Sequence, residues 1–251
     1  MQKTEIDIKV DDIRLYGNLF IPETGAGLHA AVCISHGIPA TANKPDDGGY
    51  AVLAEKFCYA GFVTLIFNFR GTGPSQGNFD LLGWSRDLKA AVDLLYVRSE
   101  IERSKISLVG FSGGAAVSIY VAANDPRVSS VVALACPADF IFPEEHPREN
   151  IVNHFRDVGV IRDDNFPSSI DNWFDNFSTI APIKWIAHIA PRPLYLIHGD
   201  KDELVPVEHA NRLFKQAKVP KEINIISGAG HQLRLEGRAI DTTLDWLIKT
   251  N

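Results

Sequence analysis

Two hydrophobic periodicities divide the chain. Residues 4–10 and 13–20 alternate polar and apolar positions on either side of an Asp11-Asp12 turn, which predicts two paired strands with one face in water. A stretch bearing proline and glycine, 22–27, closes this unit. From there short, almost wholly apolar runs at 30–35, 62–68, 105–109, 128–135, 193–198 and 222–227 predict strands buried on both faces. Segments with apolar positions three and four apart lie between them, at 50–60, 83–98, 113–124, 207–218 and 238–249, and predict helices. In 83–98 the side chains of Leu88, Ala91, Val92 and Leu95 share one face. Strands alternating with helices imply βαβ units. The predicted fold is therefore α/β: a mostly parallel central sheet of about eight strands, flanked by helices, with the N-terminal hairpin adding antiparallel strands at one edge.

One region breaks the rhythm. Between Cys136 and Pro193 no strand pattern is visible, and aromatic residues accumulate: Phe140, Phe142, Phe155, Phe166, Trp173, Phe174, Phe177 and Trp185. A structureless loop of that length does not suit a compact domain, so a small helical insertion is predicted over about 137–190, within a single domain spanning 1–251. Its aspartates, Asp157, Asp163, Asp164, Asp171 and Asp175, read as a solvated face.

Composition narrows the picture. Hydrophobic residues make up 45% of the 251 positions and charged residues 22%, which excludes a disordered or fibrous chain. The longest apolar runs, such as 128–136, are far short of the ~20 residues a membrane helix needs. The first residues show no apolar core of a signal peptide, so a cytoplasmic location is expected. The net charge of −6, without a Lys/Arg block, argues against nucleic acid or an anionic membrane as partner. Cys33, Cys58 and Cys136 are odd in number, far apart and set among apolar residues; buried thiols are expected, neither disulfides nor a zinc site.

The strongest local signal is Gly110-Phe111-Ser112-Gly113-Gly114, which fits G-x-S-x-G and stands between a predicted strand and a predicted helix. A turn that tight forces Ser112 into a strained backbone and holds its hydroxyl at the carboxyl end of the sheet. The competing reading is a glycine-rich helix entry with an ordinary N-cap serine. A serine hydroxyl needs a base and an orienting acid to act as a nucleophile. His231, in Gly228-Ala229-Gly230-His231 directly after the last predicted strand, is the best-placed base. His29, His36, His146, His154, His188, His198 and His209 fit that role less well, lying at strand ends, in a helix or in the insertion. After the preceding strand comes Gly199-Asp200-Lys201-Asp202, where two aspartates compete: Asp200 suits a turn brace, while Asp202 reaches further into the loop and is preferred as the acid. The order serine, acid, histidine is diagnostic of one hydrolase fold.

On Gly110–Gly114, the phrase His198-Gly199-Asp200-Lys201-Asp202-Glu203-Leu204-Val205-Pro206 and Gly230-His231, the chain resembles the α/β-hydrolase superfamily over nearly all its length. Within it the sequence is similar to small esterases of the dienelactone-hydrolase-like, acylaminopeptidase-like and cinnamoyl-esterase-like groups. Dienelactone hydrolases proper use cysteine as nucleophile, whereas this chain has Ser112. The resemblance implies a helical cap over the site, built from the insertion. It also implies an oxyanion hole from two backbone N–H groups, that of Gly113 and that of Ile38 in the turn Ser35-His36-Gly37-Ile38, with Gly37 permitting the necessary twist and His36 a polar anchor. The run Arg70-Gly71-Thr72-Gly73-Pro74-Ser75 resembles a structural loop of the same superfamily. It misses the G-x-G-x-x-G spacing by one residue, and Pro74 lacks an N–H for phosphate, so no nucleotide site is expected. The function so implied is a serine carboxylesterase acting on a small-molecule ester, with no metal or other cofactor and a possible homodimer. Aminopeptidase, thioesterase or carbon–carbon bond hydrolysis by the same residues, or a non-catalytic ligand-binding role, are the alternatives.

Overall fold

The computed structural model describes residues 1–23, 27–40, 49–142 and 147–251. Part of the predicted stretch 22–27, and His146 within the predicted insertion, lie outside the described residues. The chain forms one eight-stranded sheet in the order β1-β2-β4-β3-β5-β6-β7-β8, with β1 at Gln2–Val10, β2 at Ile13–Ile21, β3 at His29–Ser35, β4 at Val63–Phe67, β5 at Ile101–Phe111, β6 at Val128–Leu134, β7 at Leu194–Gly199 and β8 at Lys221–Ile226. Strand β2 pairs antiparallel with both β1 and β4, so it alone runs against the rest. All other pairings are parallel. Helices α1 (Gly49–Tyr59), α2 (Leu81–Tyr96), α3 (Gly113–Asn124), α7 (Glu208–Gln216) and α8 (Gly237–Thr250) flank the sheet, and α4 (Arg148–Asp157), α5 (Ile170–Ile180) and α6 (Pro182–Trp185) lie between β6 and β7.

Strand alternation sorts the core into two layers. Ala31, Cys33, Leu108, Val131, Ala133, Leu194 and Leu196 point to one face, where they pack with Leu88, Val92 and Val117 of α2 and α3. Val32, Ile34, Val109, Val132, Leu134, Tyr195 and Ile197 point to the other, against Phe57 of α1 and Leu244 and Leu247 of α8. Burial on both faces explains why these strands read as continuous apolar runs rather than alternating ones. Cys33, Cys58 and Cys136 are buried free thiols, and burial pushes each above its ordinary pKa. No helix among the described residues is long and apolar enough to cross a membrane.

Strand order places the chemistry. Strand β3 sends its chain to β4 on one side, while β5 pairs on its other side, which makes the crevice above β3 and β5 the topological switch point where open α/β sheets bind ligands. Register brings Ser35 opposite Gly110, Phe111 opposite Leu134 and Leu134 opposite Ile197, so the turns after β3, β5 and β7 leave the sheet side by side.

The loop between β4 and α2 is braced from below and bound from above. Arg70 meets buried Asp87 through Nε at 2.9 Å and Nη2 at 2.6 Å, and reaches Asp11 at 2.9 Å. Above it, Arg162 donates to the carbonyls of Ser75 at 2.8 Å, Gly73 at 2.8 Å and Gly71 at 3.1 Å. The Phe79 N–H donates to Val160 O at 2.8 Å, and the Trp173 indole donates to Phe79 O at 2.9 Å. The helical segment is therefore stapled to this loop. The glycine run turns carbonyls, not N–H groups, toward its partner; it is a cradle for a guanidinium, of the wrong polarity for a phosphate. Phe155, Trp173, Phe174 and Phe177, half of the eight aromatic residues expected there, are buried, and Phe155, Trp173 and Phe177 pack against Phe79, while Phe140 and Phe142 pack around Phe177 only partly covered.

Candidate active site

Ser112 stands between β5 and α3 at φ 52°, ψ −120°, a conformation that residues with a Cβ avoid. Close approach enforces the turn: a Cβ on Gly110 would lie 2.5 Å from Ala115 Cα, and one on Gly114 would lie 2.3 Å from His36 O. Both glycines are there because backbone passes backbone at less than side-chain distance. The serine side chain makes no capping bond to α3, which removes the N-cap reading.

His231 follows β8 by a short turn, and its ring bridges two partners. Nε2 lies 3.1 Å from Ser112 Oγ and Nδ1 lies 2.8 Å from Asp202 Oδ2. A carboxylate only accepts, so Nδ1 carries the proton and Nε2 is left to accept from the serine hydroxyl. Asp202 is buried, and its other oxygen, Oδ1, accepts the N–H groups of Leu204 at 3.0 Å and Val205 at 2.8 Å. Asp200 is exposed and spends its carboxylate on the Gly228 N–H at 2.7 Å and the Ser227 hydroxyl at 3.3 Å. The two competing aspartates are thus separated by geometry: one meets the histidine, the other braces the β8 turn.

The turn after β3 is equally specified. His36 Nδ1 lies 2.8 Å from Gly37 O, so that nitrogen carries a proton, and His36 Nε2 accepts the Phe69 N–H at 3.3 Å. Burial holds His36 below the usual histidine pKa. The Gly37 carbonyl and the Ile38 N–H are opposite ends of one planar trans peptide. Gripping the carbonyl therefore fixes the direction of the N–H. A Cβ on Gly113 would lie 3.4 Å from Ile38 N, so these two amides flank the same small gap. Among the described residues neither the Ile38 nor the Gly113 N–H has a protein acceptor. The expectation that Gly37 is needed for a special twist is corrected: it does not lie in the left-handed region, and what it supplies is room, since a Cβ there would come 3.1 Å from Ser112 Cβ.

Three further histidines, His29, His209 and His198, have partners other than the serine. His29 Nδ1 lies 3.2 Å from Gly61 O, and His209 Nδ1 accepts the Ala138 N–H at 3.0 Å. His198, which its strand-end position alone made look merely structural, turns out to approach Asp202 Oδ2 at 3.3 Å. Sequence reasoning passed over this contact, although the spacing His198-x-x-x-Asp202 across a strand end was available to suggest it. No group of three or more metal-ligating side chains is found among the described residues.

With this geometry in place the comparisons can be read. A family profile for the alpha/beta hydrolase fold matches residues 30–169, more than half of the chain, and the chain belongs to that family. The human serine hydrolase BPHL is 26% identical over 195 residues, covering 69% of this chain and 65% of that protein. The alpha/beta hydrolase GrgF from Penicillium sp. sh18 superposes with a TM-score of 0.81 at 21% identity, covering 100% of this chain and 99% of that one. An esterase domain from a Rhodothermus marinus protein superposes with a TM-score of 0.71 at 19% identity, covering 98% and 96%. Family and fold support hydrolase activity.

Proposed function

We propose that the protein is a serine hydrolase that cleaves carboxylic esters through an acyl-enzyme. The observation that carries this reading is the His231 ring held between Ser112 Oγ at 3.1 Å and Asp202 Oδ2 at 2.8 Å. Ser112 Oγ attacks the ester carbonyl while His231 Nε2 takes its proton. Asp202 stays ionised, keeps the imidazole in its Nδ1–H tautomer and stabilises the imidazolium. The oxyanion is held by the Ile38 and Gly113 N–H groups, each donor of this kind contributing about 3–4 kcal/mol. Collapse of the tetrahedral adduct breaks the C–O bond to the alcohol, which leaves with the proton from His231 Nε2. Water then attacks the acyl group, gives its proton to His231, and the acid departs as Ser112 recovers its hydrogen.

The test is turnover of p-nitrophenyl esters from acetate to laurate by wild type and Ser112→Ala. Wild-type turnover that the variant loses by at least about a thousandfold is the expected result. Equal rates in both would overturn the assignment of Ser112. Turnover only of thioester, amide or diketone substrates would keep the machinery and replace the ester.

A further inference from the structure

The carboxylate of Asp202 is fully enclosed, yet among the described residues no lysine or arginine pairs with it. Its charge is held by hydrogen bonds alone. Oδ1 takes the two backbone N–H groups of Leu204 and Val205, while Oδ2 is approached by two rings: His231 Nδ1 at 2.8 Å and His198 Nε2 at 3.3 Å. His198 ends β7 and is 1% exposed. The same Nε2 lies 2.7 Å from Val205 O, and a carbonyl can only accept, so Nε2 carries a proton. That single N–H donates to the carbonyl that closes the acid loop, and its nitrogen stands 3.3 Å from the oxygen that faces the base.

We propose that His198 is a positioning residue for this hydrolase: a neutral ring that ties down the acid loop through Val205 O and, with its Nε2–H edge 3.3 Å from Asp202 Oδ2, stabilises the carboxylate and holds down the basicity of His231. This rests on the serine-hydrolase reading above. The positive edge of the His198 ring beside Oδ2 offsets part of the carboxylate's charge, so the imidazolium is less stabilised than by a carboxylate without that neighbour. The role requires His198 to stay neutral while His231 titrates. The charged or titratable groups around it are Asp202, His231 and His209; Asp202 favours protonation, the two other histidines oppose it, and burial, the largest influence, holds the ring below its ordinary value. Loop and acid are thereby tied together, because Val205 donates its N–H to Oδ1 while its neighbouring carbonyl receives the His198 proton.

Two substitutions and one spectrum test this. His198→Leu removes the donor, and His198→Gln keeps an N–H at similar reach. In the pH profile of kcat/KM on p-nitrophenyl acetate, His198→Leu is expected to move the acid limb to higher pH by about half a unit, a threefold gain in proton affinity at His231, and His198→Gln to return it toward wild type. Leu and Gln variants that move together, or an acid limb unmoved while the rate falls, would reduce His198 to a packing residue. The wild-type protein supplies a measurement that does not depend on a variant folding: in a ¹⁵N titration of the two rings, His198 must keep its neutral Nε2–H pattern through the pH range where His231 protonates. A His198 that protonates with or before His231 overturns the proposal. If the wild type turns over no ester, thioester, amide or diketone while the rings titrate in the stated order, the hydrolase reading fails and the His198–Asp202 proximity stands.

Discussion

Replacing Asp202 by asparagine tests the site more sharply than removing the side chain, because the structure dictates which way the amide must face. Oδ1 accepts two backbone N–H groups, at 3.0 and 2.8 Å. An amide NH₂ turned toward those donors would leave them unpaired, at about 1–3 kcal/mol each. The carbonyl oxygen of asparagine therefore keeps the Oδ1 position, and the NH₂ takes the Oδ2 position, 2.8 Å from His231 Nδ1. Two donors now face each other there. The imidazole resolves the conflict by moving its proton to Nε2, where it points at Ser112 Oγ 3.1 Å away. Ser112 then meets a donor where it needs a base. The expected loss in kcat is about 10⁴-fold, with KM close to wild type, since the shape of the site is preserved. Asp200→Asn, by contrast, alters only a brace on the β8 turn and is expected to stay within about fivefold. The assay is steady-state hydrolysis of the best p-nitrophenyl ester, with melting temperature as the control for folding. An Asp202→Asn variant retaining a tenth of wild-type kcat, or an Asp200→Asn variant that is the dead one, would refute the reasoning.

Three further outcomes follow from close approach and burial. Gly114→Ala puts a Cβ 2.3 Å from His36 O, about 1 Å short of ordinary contact, and must push α3 away from the turn after β3; a loss of about 100-fold in kcat/KM is expected. Gly113→Ala meets mainly the Ile38 side chain, at 2.6 Å, so Ile38→Ala should rescue Gly113→Ala and leave Gly114→Ala unrescued; equal rescue of both would contradict this geometry. His36 and His198 are both held below the ordinary histidine pKa by burial, so the unfolded chain takes up their protons first. Stability is then full above about pH 6.5 and falls as the pH drops toward the folded-state values, by at most about 1.4 kcal/mol per pH unit for each ring. Urea unfolding at pH 7.5 and 5.5 should show a smaller drop for His198→Gln than for wild type, and equal drops would count against a buried neutral ring.

The fold was legible because burial writes itself into composition. Six apolar runs predicted β3 to β8, and Ile13–Ile21 and Gln2–Val10 announced themselves by alternation. Boundaries moved where polar residues continue a ladder: β5 begins at Ile101 through Glu102, Arg103 and Ser104, which apolar periodicity cannot see. Ser112, Asp202 and His231 were legible because each sits at a strand end in a local pattern with few other uses. The contacts of His198 were not, and for His36 the sequence suggested a polar anchor but not the atom it holds. Their significance lies in which atom faces which, His198 Nε2 toward Asp202 and His36 Nδ1 toward Gly37 O, and sequence spacing carries no information about ring orientation. The stapling by Arg162 was equally hidden, since it joins carbonyls that any residue type could offer.

The backbone of Ser112 has a consequence for the engineering of this protein. Holding a residue with a Cβ at φ 52° and ψ −120° costs of order 1–3 kcal/mol, which glycine at the same position would largely avoid. The proposed nucleophile is therefore kept at the expense of the fold that presents it, a trade between durability and activity. Any effort to harden the protein by selecting on melting temperature alone will be drawn toward a chain without its serine, and must carry an activity screen beside it.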